Sequence, residues 1–574
     1  MKAYEILAML SPLEVRSLCA DSRSVQAGDV FVAYPGHAVA AGARADGRRF
    51  IADALARGAA GVLWEREGFA WNSDWQVPNA PVEGLKPLVG AISSEVYGFP
   101  SEQLFMAGVT GTNGKTSVSQ WIAQALHLCG KPCGVIGTLG ANLYGGAAGF
   151  GDTGDAGGAG GATGASGAAG SGAAADAASR ASGAANTTPD AIVLQRTLKQ
   201  MREAGAVACA MEASSIGLDQ ARTAAVAFDC AVFTNFTRDH LDYHGSMAAY
   251  EAAKTQLFLL EGLTHAVINL DDPMGVRLMT KTADRLDRIA YCIAGAAAVA
   301  EYVEDEGRLT ASNIRFNEQG VRFTVTSDWG VTEVAAPVWG AFNVSNLLAV
   351  MGTLIAAAVP FESAARAVEK IDAVPGRMNA LGGKDAPLVV IDYAHTPDAL
   401  DQALATLRPL ASARGGALRV VFGCGGDRDA GKRPLMGAVA ERGADAVMLT
   451  SDNPRSEAPE AIIAAIARGM HKPHLVVADR AQAIARAVGG AGATDVVLIA
   501  GKGHERYQEV ASRKLPFSDH EVARNALNNR PHGADRARGT SSTSSTSSTS
   551  STSSTSSTGS ANNVPSANRT GGMQ

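Results

Sequence analysis

Short unbroken apolar runs recur along the chain, each followed by a polar or glycine-rich turn. Val30–Tyr34 and Gly61–Trp64 come first. Leu104–Thr110, Ala206–Met211, Cys230–Thr234 and Ala266–Asn269 follow. The last group is Leu388–Asp392, Leu418–Phe422, Ala446–Thr450 and Val496–Ala500. Runs of this length bounded by turn residues predict strands buried on both faces. Between them lie stretches with helical spacing, such as Thr116–Leu128. Alternating strands and helices predict an α/β fold with mostly parallel sheets. In such sheets ligands sit beyond the carboxyl ends of the strands.

The runs group into three ordered blocks. Residues 1–100 are expected to form a small N-terminal α/β domain. Residues 101–338 read as a central P-loop-type parallel sheet with flanking helices. Residues 339–529 read as a C-terminal Rossmann-like α/β domain. Two stretches break the pattern. Residues 145–185 hold 14 Gly and 16 Ala, too little apolar surface to offset the entropy of ordering them, which predicts a flexible insertion. Residues 540–558 repeat Ser-Ser-Thr, so 530–574 reads as a disordered tail.

The net charge of -6 argues against a general nucleic-acid binder, which carries a basic excess. The seven cysteines include no Cys-x-x-Cys pair. Cys129 and Cys133 have no second Cys or His pair to complete a zinc site, so reduced thiols are expected. The N-terminus lacks a basic region followed by a long apolar run, and no uninterrupted apolar stretch is long enough to span a bilayer. A cytoplasmic protein is expected, monomeric, with small-molecule partners and no membrane or nucleic acid.

The first chemical signal is Gly108-Val109-Thr110-Gly111-Thr112-Asn113-Gly114-Lys115-Thr116, between a predicted strand and a predicted helix. Glycines let backbone amides approach phosphate oxygens, and the helix N-terminus adds its dipole. Lys115 can reach the β- and γ-phosphates, and the Thr116 hydroxyl can ligate magnesium. By itself this loop points to a nucleoside triphosphate, not to a reaction.

Thr110–Thr116 resembles the nucleotide loop of the Mur ligases and folylpolyglutamate synthetases. Further motifs follow in that family's order. They are Asn235-Phe236-Thr237-Arg238-Asp239-His240-Leu241-Asp242-Tyr243-His244-Gly245, Tyr250-Glu251-Ala252-Ala253-Lys254, Gly340-Ala341-Phe342-Asn343-Val344-Ser345-Asn346, Gly376-Arg377-Met378, Asp392-Tyr393-Ala394-His395-Thr396-Pro397-Asp398 and Gly423-Cys424-Gly425-Gly426-Asp427-Arg428-Asp429. The chain is identified as resembling the Mur ligase family over most of its length.

The resemblance implies an ATP-dependent ligase. ATP phosphorylates a carboxylate to an acyl phosphate, and an amine displaces phosphate to form an amide. Lys115, Glu212, His240 and Lys254 match catalytic positions. Magnesium would be held by Thr116, Glu212, His240 and Lys254, the last carbamylated to N6-carboxylysine. Such a lysine must lose its proton to react, so its site must depress its pKa or trap the product. ATP would touch Gly111, Thr112, Asn113, Gly114, Lys115 and Thr116, and across the cleft Asn343, Asn346, Arg377, Asp392 and His395. The UDP-linked muramoyl dipeptide would meet Ser22, His37, Asn186, Thr187, Thr188, Ser214, Gln220 and Arg222. Position 216 departs from the family pattern, with Ile216 where many relatives carry histidine.

Asp452-Asn453-Pro454-Arg455, with Arg428, Gly501 and Glu505, matches the amino-acid site of the branch that adds meso-diaminopimelate to the D-glutamate carboxylate. Arg455 can pair bidentately with the second carboxylate, and an unpaired buried arginine would penalise lysine. Two alternatives stay open: a Mur-type ligase adding L-lysine, and a nucleotide-binding regulator that does not catalyse.

Overall fold

The computed structural model describes residues 1–36, 46–146, 186–293, 307–317, 320–511 and 513–530. His37, most of the glycine/alanine tract and the Ser/Thr tail lie outside the described residues. Three sheets and one hairpin build the unit Met1–Asn529.

The N-terminal sheet is parallel, in the order Leu18–Cys19, Val30–Ala33, Gly61–Glu65, Asn79–Val82. Its two middle strands are buried throughout, as unbroken apolar runs predict.

The central sheet has ten strands among the described residues, in the order Gly330–Ala336, Gly320–Ser327, Gly307–Asn317, Asp287–Ile293, His265–Asn269, Cys230–Phe233, Phe105–Thr110, Ala208–Glu212, Cys133–Gly137, Gly140–Tyr144. The middle is parallel; both ends turn antiparallel, with a three-strand meander over 307–336. Register pairs Val109 with Glu212 and Thr110 with Phe233. The chain therefore leaves three neighbouring strands at one edge, delivering Gly111–Lys115, Glu212 and Thr234–Asn235 together.

The third sheet runs Asn379–Gly382, Leu388–Asp392, Val496–Ala500, Leu418–Phe422, Ala446–Leu449, Leu475–Val476, antiparallel in its first pair alone. Pairing of Asp392 with Ala500 and of Phe422 with Leu449 gathers the following loops at its carboxyl edge.

One expectation shifts. Helix Ala341–Ala356 buries Val344, Leu347, Leu348, Val350, Met351 and Leu354 in the core that covers the central sheet, and this core continues to Val374. A start of the third domain at 339 falls inside that core. Helix Lys115–Leu128 packs beside Ala341–Ala356, joining phosphate loop and Asn343 in one body. All seven cysteines are free. Among the described residues no helix is long and apolar enough to cross a membrane.

Candidate active site

The phosphate loop is held in shape before any ligand arrives. Gly111 has φ +149°, and a Cβ there would stand 1.9 Å from Thr234 Oγ1. Gly114, φ +85°, precedes helix Lys115–Leu128, and a Cβ would stand 2.6 Å from Asn346 Oδ1. No larger residue fits either place. Thr112 N donates to Asn235 O at 2.8 Å and Asn113 N to Asn235 Oδ1 at 2.9 Å. Thr234 Oγ1 donates to Asn113 O at 2.6 Å. Asn235 and Thr234 thus brace the loop from the next strand.

Two lysines converge on it. Lys115 Nζ donates to Gly111 O and Thr112 O, each at 2.8 Å. Lys254 Nζ donates to Gly111 O at 2.7 Å and lies 4.4 Å from the Tyr250 ring centroid. Lys254 is 1% exposed, and neither lysine makes an ion pair among the described residues. Burial first, then the Lys115 charge, push the Lys254 ammonium well below its usual value, against the opposing pull of Asp239. Burial also lowers Lys115, opposed by Glu212 and Asp239. Burial without a paired carboxylate favours the neutral amine, the form whose lone pair can attack carbon dioxide.

Glu212 closes the strand Ala208–Glu212 and is buried. Its Oε1 accepts from Thr138 N at 2.8 Å. Its Oε2 accepts from Thr138 Oγ1 at 3.0 Å and Thr116 Oγ1 at 3.1 Å. Two hard oxygen donors of the expected magnesium set therefore lie side by side, which fits that ion. No group of three His, Cys, Asp or Glu able to hold a metal occurs among the described residues. The expected set accommodates this, since it draws on a hydroxyl and a modified lysine.

His240 sits at φ +52° just before a short helix. Its Nε2 lies 3.5 Å from Asp239 Oδ2, and His395 Nε2 from the third sheet lies 3.7 Å from the same oxygen. Desolvation, with the charges of Lys115, Lys254 and His395, pushes His240 down to about 4, Asp239 opposing. Burial alone would raise the Asp239 carboxyl. The His395 contact and the charges of His240, His395 and Lys432 outweigh burial and hold it well below the usual range.

Beside Glu212 the expected dipeptide residues gather. Thr188 Oγ1 donates to Glu212 O at 2.8 Å and lies 3.0 Å from Ser214 Oγ. Thr138 Oγ1 donates to Thr187 Oγ1 at 3.3 Å. Arg222 Nη1 donates to Thr188 O at 2.9 Å, and Nη2 to Gln220 Oε1 at 2.6 Å. Asn186 is exposed at the start of this segment. Ser22 is buried in a turn of the N-terminal domain, and among the described residues it makes no side-chain hydrogen bond to this cluster. At the position after Ser215 the imidazole is absent, but His244 Nε2 reaches Ser215 Oγ at 3.0 Å from the short helix Leu241–His244.

The third sheet faces the phosphate loop. Arg377 Nη2 donates to Thr116 Oγ1 at 3.0 Å, and Asn113 Nδ2 to Asp398 Oδ2 at 3.1 Å. Arg377 stacks on Tyr393 at 4.4 Å, and its buried Nη1 has no hydrogen-bond partner among the described residues. Asp392 is raised by burial, partly offset by Arg377, and accepts from Met378 N and Ala394 N at 2.8 Å each. Asn346 Nδ2 donates to Asn343 Oδ1 at 3.1 Å.

Asp452, Asn453 and Pro454 line the edge of the third sheet. Asn453 Nδ2 donates to Glu505 Oε2 at 2.7 Å. A Cβ on Gly501 would stand 2.5 Å from Asp452 Oδ2, so the two segments touch. Arg428 stays exposed, donating to Asp427 O at 3.3 Å. Arg455 differs from expectation. Its Nε donates to Glu509 Oε2 at 3.1 Å and Nη1 to Gly426 O at 2.7 Å. These bonds fix one side of the guanidinium and leave Nη2 without a hydrogen bond among the described residues.

Several residues of the site were not singled out from sequence. Lys502, fully buried, donates to Asn453 Oδ1 at 2.9 Å and Glu505 Oε2 at 2.7 Å. Arg480, also buried, donates to Asp519 at 2.7 Å through Nε and Nη2, and to Ser451 O and Ala500 O at 3.2 and 3.0 Å. Asp239, Asn235 and Thr138 complete the group. Asp239 and Asn235 lay inside a recognised motif; a lysine three residues before Glu505 carried no signal of its own.

The chain matches three family descriptions in succession: "Mur ligase family, catalytic domain" over residues 14–97, "Mur ligase middle domain" over 109–354 and "Mur ligase, glutamate ligase domain" over 376–503. A curated relative from Janthinobacterium sp. (strain Marseille), named UDP-N-acetylmuramoyl-L-alanyl-D-glutamate--2,6-diaminopimelate ligase, is 47% identical over 518 residues, covering 89% of this chain and 94% of the relative. A relative of the same name from Ralstonia nicotianae is 48% identical, covering 89% and 92%. A solved structure of a ligase of that name aligns with a TM-score of 0.57 and 32% identity, covering 91% of this chain and 98% of the other. A MurF ligase from Thermotoga maritima solved with ADP aligns at a TM-score of 0.60, 17% identity, 90% and 99% coverage, a likeness of fold. With its three-domain α/β architecture and this arrangement of motifs, the chain belongs to the Mur ligase family.

Proposed function

We propose that this protein is the ATP-dependent ligase that joins meso-diaminopimelate to the D-glutamate carboxylate of UDP-N-acetylmuramoyl-L-alanyl-D-glutamate. The observation that carries the reading is the convergence of basic side chains from two domains on one buried carboxylate beside the phosphate loop. Asp452–Arg455, which would hold the amino acid, follow the strand Ala446–Leu449 of the third sheet. Curated relatives near 47% identity that bear this name support the choice of substrate.

The chemical problem is charge, because a carboxylate must approach the γ-phosphate. Lys115 and Arg377 reach the start of helix Lys115–Leu128 from opposite sides of the cleft. Bound magnesium would neutralise phosphate oxygens and polarise the γ-phosphorus. Thr116 and Glu212 would hold it, with His240 and a carbamate on Lys254. Thr187, Thr188, Ser214, Gln220 and Arg222 would hold the dipeptide next to Glu212. The carboxylate oxygen bonds to the γ-phosphorus as the bond to the β,γ-bridging oxygen breaks, giving acyl phosphate and ADP. The amine of the amino acid then attacks the acyl carbon, phosphate leaves, and the amine gives up a proton. Asn453, Glu505 and the free edge of Arg455 would orient that amino acid. Placing the third domain's start after Val374 leaves Asn343 and Asn346 with the central body. A cytoplasmic location fits these substrates.

The test is ADP release in the presence of the UDP-linked dipeptide, with meso-diaminopimelate or lysine as the amine. Turnover is expected with diaminopimelate. Equal turnover with lysine overturns the assignment of the amine, and no amine-dependent release overturns the ligase reading.

A further inference from the structure

Lys432 is a cation of the cleft to which the reactions above give no task. It opens helix Lys432–Gly443, is 7% exposed, and makes no hydrogen bond or ion pair among the described residues. Its neighbour Arg433 is occupied, holding Glu457 at 2.7 and 2.8 Å. The N-cap Gly431 offers no side chain, and its amide donates to Asp429 Oδ1 at 2.8 Å. Its start is pinned against the central domain. A Cβ on Gly431 would stand 2.9 Å from Arg238 Nη2, and Arg238 pairs with Asp429 at 3.2 Å. Arg238 directly precedes Asp239 and His240.

Asp239 is the shared neighbour at this junction. His240 Nε2 from the central domain and His395 Nε2 from the third lie 3.5 and 3.7 Å from its Oδ2, and the charge of Lys432 also helps hold its carboxyl low. Asp239 is already flanked by both histidines, and Lys432 has no acid paired with it among the described residues. A negatively charged group would therefore find an unpaired, buried cation at this junction, between the phosphate loop and the third domain.

We propose that Lys432 is a further catalytic residue, contacting the phosphoryl group as it passes from ATP to the glutamyl carboxylate. This rests on the ligase reading above. Lys432 neutralises non-bridging oxygens while the new oxygen–phosphorus bond forms and the bond to ADP breaks. Because it arrives with the third domain, phosphoryl transfer waits for the two domains to meet.

The experiment uses the full chain with Lys432→Met and Lys432→Arg. Positional isotope exchange in oxygen-18-labelled ATP, with the dipeptide but no amine, reads the phosphoryl step alone. Steady-state assays separate kcat from KM for diaminopimelate. Lys432→Met is expected to lower exchange and kcat about 100-fold, with KM for diaminopimelate within about threefold of wild type; Lys432→Arg recovers to within about tenfold. Lys432→Gln replaces the methionine variant if that one does not fold. Exchange within about threefold of wild type overturns the proposal, as does a loss confined to KM for diaminopimelate, which would assign Lys432 to the amino acid's carboxylate. Absence of dipeptide-dependent exchange in the wild type refutes the ligase reading instead.

Discussion

Lys502→Met removes the ammonium that ties Asn453 to Glu505. Methionine fills nearly the same volume, so the loss falls on the head group. That head group donates at 2.9 Å to Asn453 Oδ1 and 2.7 Å to Glu505 Oε2, with its side chain fully buried. Removing one partner of a buried pair costs about 3–5 kcal/mol. Two features reduce that here. Glu505 keeps 15% of its side chain exposed and still accepts from Asn453 Nδ2 at 2.7 Å. Asn453 Oδ1 still accepts from Glu509 N at 2.9 Å. About 2–3 kcal/mol remains. At about 1.4 kcal/mol per tenfold, kcat/KM for diaminopimelate should fall about 30- to 100-fold, while KM for ATP stays put. A double-mutant cycle with Glu505→Gln, measured on kcat/KM, should show coupling above about 1 kcal/mol. Additivity within about 0.5 kcal/mol would mean that the ammonium does not act through Glu505, and the reasoning fails.

Three further outcomes follow from the site. Lys254→Ala should lose at least about 100-fold in kcat and recover part of it when a short carboxylic acid is added; wild-type rates would rule out a role for this lysine. His240 is pushed from 6.5 down to about 4. The folded state therefore refuses a proton that the unfolded chain accepts, and its contribution to stability is lost as pH falls from about 6.5 towards 4. In histidine NMR spectra of the free protein, with His240→Gln for assignment, the ring should stay neutral at pH 5.5; a midpoint near 6.5 would contradict the crowding argument. A Cβ at Gly137 would stand 2.2 Å from Glu212 Oε1. Gly137→Ala should therefore displace that carboxylate and cut kcat about 100-fold, with a weaker response to magnesium; an unchanged magnesium titration would show that Glu212 tolerates the shift.

The parallel strands were legible because they are buried on both faces and read as unbroken apolar runs; Leu388–Asp392, Leu418–Phe422 and Val496–Ala500 match residue for residue. The meander over 307–336 escaped because it is buried on one face. Val321, Phe323 and Val325 alternate there with Arg322, Thr324 and Thr326, so no continuous run exists. Phosphate loop and Glu212 lie where strands end, and His240 stands inside the Asn235–Gly245 motif, so all three could be picked out as candidates. Lys502 and Arg480 could not. Their importance lies in which distant groups they touch, and a lone lysine or arginine in sequence looks like any solvated surface residue. Arg455 shows the reverse: its place was legible, while its existing partners Glu509 and Gly426 are tertiary facts.

The core shared by the central sheet and helix Ala341–Ala356 decides where the molecule can bend. Asp372 is tied to that body on both sides, its carbonyl accepting from Trp121 Nε1 at 3.0 Å and its amide donating to Gln124 at 2.8 Å. Gly376 packs against Gly503 and His504. Any pivot is thus confined to the few bonds between Asp372 and Gly376. Asn343 and Asn346 travel with the phosphate loop, whereas Arg377, Asp392, His395 and Lys432 travel together on the far side. A nucleotide can then be gripped by one rigid jaw while the other is still away. The cations that face the phosphate loop are then divided between the two sides, Lys115 on one and Arg377 on the other.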